Sequence, residues 1–301
     1  MFKSMLLDIS LCVIALFQRQ LEIFLCYSTY LVCVLLPRWV WDFIRATSGD
    51  GGYAEVRGWR YDVVATRYCS RPSVSDVTSP CITKRDVYLR KVLRVRVDSK
   101  VLSLGRAVHE VFIYPFRYRG EDFERLVHGF RHVLRQYQDL RQYWRFFEKV
   151  FRKALTLSLI SEEEQVPVSV EPYIPAGSIG LSDFVRPDLM VGFIPVDLVL
   201  VLGSHGLERK ELALAGYALA IEAWTGNPVD IGVVIGIHMG DDTRFTWRVV
   251  RIDDSLRRRF LEVRDEVARI LDYGEDPERP SSCPSTCPYR EVCWNGGNVH
   301  S

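Results

Sequence analysis

Hydrophobic positions along this chain fall into three regimes. From Met5 to Ile44, Leu, Ile, Val, Phe and Cys crowd together. Its apolar run Ile23 to Leu36 is 14 residues long, short of the roughly 18 that a membrane span requires. Asp8, Arg19, Glu22, Arg38 and Asp42 interrupt the wider stretch, and no small-residue cleavage site follows it. This pattern predicts buried or partner-facing helices, closed by a loop at Thr47-Ser48-Gly49-Asp50-Gly51-Gly52.

Helical spacing dominates the second regime. Ser75 to Leu93 (SDVTSPCITKRDVYLRKVL) predicts a helix start followed by an Arg/Lys-rich helix, with Cys81 near its first turn. Gly105 to Val111 predicts another helical segment. From Asp122 to about Leu155 the residues Phe123, Leu126, Phe130, Val133, Leu134, Tyr137, Phe147 and Phe151 recur at helical spacing. The other face carries Arg125, Arg131, Arg135, Arg141, Arg145, Lys149 and Arg152, either a solvated face or one that tracks phosphates.

A strand pattern marks the third regime. Val166 to Val201 carries Val/Ile/Leu runs broken by Pro and Gly. A helix from about Leu207 to Trp224 follows, then strands VDIGVVIGIH and RFTWRVVRI. A last amphipathic helix starts after Asp253-Asp254-Ser255. Strands alternating with helices predict an α/β core, and no internal repeat or low-complexity tract is present.

Composition narrows the class. The 301 residues suffice for one large domain or two modest ones. A formal net charge of +1 predicts no bulk attraction to nucleic acid, so any such surface needs local charge segregation. The eight cysteines are irregularly spaced and do not read as a secreted disulfide framework; a reducing cytoplasm fits them better.

Two groups of residues carry candidate chemistry. Cys283, Cys287 and Cys293 cluster in SSCPSTCPYREVCWNGG, and Cys81 is a fourth candidate far upstream. Thiolates are soft anionic ligands that suit iron–sulfur clusters and zinc. In RPDLMVGFIPVDLVL, Asp188 and Asp197 are symmetric about the point between Gly192 and Phe193, so a tight hairpin sets them opposite each other. Two carboxylates roughly 5 Å apart repel unless a divalent cation such as magnesium or manganese lies between them. His109, in Gly105-Arg106-Ala107-Val108-His109, is a third candidate ligand.

The order Cys, G-x-x-x-H, R-P-D, second acid, helix with Tyr217, clustered cysteines resembles the CRISPR-associated RecB-like iron–sulfur exonucleases, the Cas-four family, in its archaeal type I-A branch. The strings carrying it are Arg57 to Trp59, VSDVTSPCITKRDVYLRKV, GRAVHEVF, RPDLMVGFIPVD and KELALAGYALAIEA with the following PVDIGVVI. They span roughly Arg57 to Asn295. The resemblance implies a restriction-endonuclease-like (PD-(D/E)xK) core, a mixed sheet flanked by helices. Residues 1–56 would be an apolar helical N-terminal region, 57–273 the RecB-like nuclease domain with a helical insertion, and 274–301 the cysteine tail.

The same resemblance implies a [4Fe–4S] cluster on Cys81, Cys283, Cys287 and Cys293, with Cys69 the alternative to Cys81. It makes His109, Asp188 and Asp197 ligands of Mn2+ or Mg2+ and Tyr217 a DNA-proximal residue. The implied activity is cleavage of single-stranded or overhanging DNA ends, trimming spacer precursors for the CRISPR integrase, in the cytoplasm and without a membrane. The chain departs from the family's acidic-x-Lys motif by reading Asp197-Leu198-Val199, and Ala213 replaces a family Gln. The terminal spacing C-x3-C-x5-C is slightly wide. Lys210 is the candidate substitute for the missing lysine, reaching in from another element. A non-catalytic iron–sulfur subunit that holds DNA or the integrase, and a structural zinc protein, are the competing expectations.

Overall fold

The computed structural model describes residues 54–202, 207–240, 242–283 and 287–295. The expected apolar region of residues 1–56 lies almost wholly outside them, as does its closing loop.

Three short helices open the described chain, α1 (Tyr61–Val64), α2 (Val74–Val77) and α3 (Arg85–Lys91). Ser73 and Asp76 cap α2 reciprocally, each side chain bonding the other's backbone N–H. The expected helix start and Arg/Lys-rich helix over Ser75–Leu93 are α2 and α3, with Cys81 in the turn between them. Pro80 lacks the N–H that a continuing helix needs.

A longer helix, α4 (Lys100–Arg117), carries His109. The expected helix over Asp122–Leu155 is broken into α5 (Phe123–Gln136), a 3-10 turn over Gln138–Tyr143 and α6 (Trp144–Glu163). Asp122 caps α5, its carboxylate accepting from Arg125 N. The break at Tyr137 lets α5 and α6 both turn apolar faces inward, and Phe130 stacks on Phe151 at 4.4 Å.

The strands then follow: β1 (Val168–Val170), β2 (Ile174–Pro175), β3 (Phe184–Val185), β4 (Leu189–Val191) and β5 (Ile194–Val201). Helix α7 (Leu207–Thr225) leads to β6 (Ile231–His238) and β7 (Arg244–Arg251). Helix α8 (Asp254–Tyr273), capped by Asp253, and the short α9 (Arg290–Asn295) end the described chain.

Five strands form a mixed sheet in the order β1-β4-β5-β6-β7, parallel only between β5 and β6. Parallel neighbours need a crossover, and α7 supplies it. Strands β2 and β3 form a separate antiparallel pair. Side-chain alternation gives the large sheet two buried faces. Leu189, Val191, Val196, Leu198, Val233 and Ile235 pack toward α4, α5 and α6. Met190 and Val234 face the second core, built around α7 and α8.

Helix α7 is buried on every side from Leu212 to Glu222, as expected of a helix sandwiched between sheet and helix. Small residues make this possible. A Cβ on Gly216 would lie 2.4 Å from the ring of Phe260 on α8, so only glycine admits that approach. Fully buried Glu222 accepts from Arg57 at 2.7 Å, Arg257 at 3.0 Å and the amides of Gly58 and Val229. These bonds satisfy its charge and clamp the Arg57 segment onto α7 and α8. The architecture is mixed α/β, helices on both faces of a mixed sheet.

Candidate active site

The hairpin of β4 and β5 sets the site. Gly192, at φ +59°, and Phe193 form its turn, a conformation that glycine adopts without a Cβ penalty. Leu189 pairs with Val196, so one rung further Asp188 faces Asp197. Both carboxylates come to one place although nine positions separate them.

Asp188 is fully committed. Its Oδ1 lies 2.6 Å from His109 Nε2 on α4, and its Oδ2 accepts from Leu198 N at 2.6 Å. Burial opposes ionisation, but the His109 hydrogen bond and charge outweigh it and hold the carboxyl well below the usual range. Burial likewise works against protonation of His109, yet Asp188 lifts its pKa above the ordinary imidazole value.

Asp197 is 1 % exposed, and Lys210 Nζ on α7 donates to its Oδ1 at 3.0 Å. Its Oδ2 is buried with no hydrogen-bond partner among the described residues. Burial pushes the Asp197 carboxyl well up; Lys210 opposes this and the charge of Asp188 adds to it. The strand position two beyond Asp197 presents Val199, so the cationic group comes from the first turns of α7 instead. Burial disfavours the charged form of Lys210, but Asp197 and Asp188 together raise its pKa.

Tyr217, two turns further along α7, is buried at 8 % exposure in the second core. Burial and then the charges of Asp197 and Asp188 raise its pKa.

A cleft of about 590 Å³ opens over these groups, lined by His109, Asp188, Lys210 and Val199. Glu171, Arg117, Glu110 and Tyr137 also line it, and sequence reasoning passed over all four. Glu171 ends β1 at φ +43°, donates its N–H to Asp188 O at 3.1 Å and pairs with Arg117. Tyr137 donates to Glu110 at 2.9 Å, and burial followed by that carboxylate pushes its pKa up to about 12. The only signal for Glu171 was its Pro172 neighbour, which mirrors Pro187 before Asp188.

The donor types suit a hard divalent cation: the Asp188 and Asp197 carboxyls and the His109 imidazole converge beside Lys210. Among the described residues no three His, Cys, Asp or Glu side chains close round an ion as they stand.

The described cysteines of the tail, Cys283, Cys287 and Cys293, are free, and the tail packs near Cys81. Cys293 is buried with Tyr88 and Leu89 of α3, Ile270 of α8 and Tyr289. Burial pushes the Cys287 thiol up to about 11, with Cys283 beside it adding to the shift. Burial also raises Cys293, which feels both Cys81 and Cys287. Thiols that crowd each other in this way suit a cationic centre, which relieves the repulsion between their thiolates. Cys69 is exposed, its amide donating to Asp272.

Fold and site together define a mixed-sheet α/β protein with a cleft that Asp188 and Lys210 line and Asp197 buried behind them. A sequence profile described as CRISPR-associated exonuclease Csa1 matches residues 32–122 and 121–297, and the chain belongs to that family. It is 27% identical over 260 residues to the CRISPR-associated exonuclease Csa1 of Thermoproteus tenax, covering 79% of this chain and 90% of that one. It is 29% identical over 272 residues to the Saccharolobus solfataricus protein of the same name, covering 79% and 91%. The CRISPR-associated exonuclease Cas4 of Aeropyrum pernix is 30% identical over 141 residues, 45% of this chain and 67% of that protein. Among solved structures, the alkaline exonuclease of Laribacter hongkongensis aligns with a TM-score of 0.33 and 12% identity, over 67% of this chain and 84% of that one. At that level neither fold nor activity carries across. Among the described residues no helix is long and apolar enough to cross a membrane.

Proposed function

We propose that this protein is a metal-dependent DNA exonuclease of CRISPR adaptation, trimming the ends of spacer precursors before an integrase inserts them. The convergence of the buried Asp197 and Asp188 carboxyls beside His109 and Lys210 carries the reading. Two buried carboxyls this close repel when both are ionised, and a divalent cation between them would relieve that repulsion. His109, Asp188 and Asp197 would hold Mn2+ or Mg2+. Bound there, the cation would polarise the scissile phosphate and acidify the attacking water.

The chain's own residues divide the remaining work. The Leu198 amide and His109 fix both oxygens of Asp188, so the carboxylate meets its ligand already oriented. Lys210 keeps its proton, because two carboxylates hold its pKa up. It therefore acts as a fixed positive charge against the developing phosphorane charge, and does not serve as a base. Cys81, Cys283, Cys287 and Cys293 would hold a [4Fe–4S] cluster that ties the tail to α3 and the end of α8.

Val199 in the place of a strand lysine supports a second reading, an iron–sulfur subunit that holds DNA or the integrase without cutting. One experiment separates the two. Anaerobically purified, cluster-loaded protein is given end-labelled single-stranded DNA and manganese, with Asp188→Ala alongside. Digestion lost in the variant and on chelation supports the exonuclease. No digestion by loaded protein sinks it in favour of the holding subunit.

A further inference from the structure

The small β2–β3 sheet continues the β1–β4 ladder in the same register. Val168 faces Val191, Val170 faces Leu189, Ile174 faces Val185 and Pro175 faces Phe184. On the rungs between, Glu171 N donates to Asp188 O, and Tyr173 falls opposite Arg186. Pro172 and Pro187 face each other on the intervening rung. Neither has an N–H, so the ladder lapses there and the sheet divides in two.

The rung beyond the Pro172–Pro187 pair is an exposed aromatic corner. Tyr173 is 65% exposed and Phe184 54% exposed, with ring centroids 6.0 Å apart and planes at 83°. The Arg186 guanidinium lies 5.0 Å from the Tyr173 centroid and donates to its hydroxyl at 3.2 Å. Single exposed aromatics are ordinary. Here two large rings and a guanidinium are fixed against one another at the surface, beneath them the fully buried Ile174. Tyr173 is held edge-on by Phe184 and on one face by Arg186, so little freedom remains to be lost on binding.

We propose that Tyr173, Phe184 and Arg186 form a base-stacking platform for single-stranded nucleic acid, feeding the cleft at Asp188. This rests on the nuclease reading and names how the substrate strand is gripped. Arg186 and Asp188 are two residues apart, so their Cα atoms are at most about 7 Å from each other. A nucleotide stacked on Tyr173 thus sits two rungs from the carboxylate, on the far side of the Pro172–Pro187 pair. Aromatic faces with an adjacent guanidinium hold bases irrespective of sequence, and Arg186 adds a phosphate-pairing cation. A protein partner would be expected to prefer a wider apolar surface than two rings flanked by exposed Arg186, Asp183 and Arg71.

The test uses the full, cluster-loaded chain carrying Asp188→Asn, without added divalent cation, and fluorescein-labelled oligothymidylate. A second oligonucleotide of equal length carries abasic sites through its terminal nucleotides. Tyr173→Ala should weaken binding of the first by about tenfold or more and leave the second unchanged. Tyr173→Trp should restore affinity, and Phe184→Ala should repeat the loss. Thermal melting unchanged by these exposed substitutions certifies the fold. An unchanged affinity, or an equal loss on both oligonucleotides, overturns the platform. If the parent binds neither oligonucleotide, the nuclease reading falls and the platform with it; parent binding with no platform effect removes the platform alone.

Discussion

Lys210 Nζ on α7 lies 3.0 Å from Asp197 Oδ1 on β5, across a sequence separation of 13. Positive charge therefore reaches the carboxylate from a crossover helix, while the strand itself offers Val199.

Geometry of this kind predicts a transferable lysine. Lys210→Ala should lower the digestion rate by roughly 10²- to 10³-fold, since it removes the charge and leaves Asp197 Oδ1 only the Leu198 amide as donor. Placing the amine on the strand with Val199→Lys in the same variant should recover part of that loss. Single-turnover rates decide it; a Lys210→Ala enzyme with wild-type rates would remove the lysine from the chemistry.

Cys283→Ser should bleach the visible absorbance of anaerobically purified protein and lower its melting temperature. The tail would lose its tie to Cys81 while Tyr289 and Ile270 remain in a small satellite cluster. Full colour in that variant would place the fourth ligand elsewhere.

Asp254 predicts an acid-sensitive strap. Its carboxylate accepts from the amides of Glu55 and Val56, each at 2.9 Å, at the first turn of α8. Burial opposes ionisation, but those amides, Arg257 and Arg258 bring its pKa below the usual aspartate value. A depressed folded pKa means stability that is fully present above the ordinary aspartate range and lost as pH falls through the folded value. Asp254→Asn should cost about 0.5–1 kcal/mol at neutral pH and flatten the decline below roughly pH 4. Urea midpoints across that window test it, and parallel acid limbs for the two proteins would contradict it.

The exposed stripe Arg145, Lys149 and Arg152 on α6 predicts a salt response. If it tracks phosphates, Arg145→Ala with Arg152→Ala should reduce the slope of log affinity against log salt by roughly 0.7 for each phosphate left unneutralised. Titrations with single-stranded DNA at several salt concentrations measure the slope. No change returns the stripe to a solvated face, consistent with the 2.6 Å pairing of Arg152 and Glu148.

Much of this arrangement was legible in the residue order. Period-two and helical spacing located β5 to β7, α7 and α8, because each runs long enough for burial to imprint a pattern. The symmetry of Asp188 and Asp197 about Gly192 was readable because a tight hairpin leaves one register. Short elements were less legible: the bounds of α2 and α3 depend on Pro80 and on the caps at Ser73 and Asp76. The break at Tyr137 carried no Pro or Gly, and only packing of α5 on α6 reveals it. Glu171, Arg117 and Tyr137 enter the cleft from three separate elements, and no local motif records a convergence made by tertiary structure.

The sheet ends at β7, eight residues long, and no described strand pairs with its outer side. Such an open edge could template the strand of a neighbouring molecule, the route into amyloid-like stacking. Arg244, Arg248 and Arg251 punctuate it, and a second copy laid alongside would bring like charges together. Arg244 and Arg251 stand exposed on this edge and Arg248 pairs with Glu211 at 2.6 Å, so the outer side of the sheet is marked by charge, which disfavours strand-to-strand pairing.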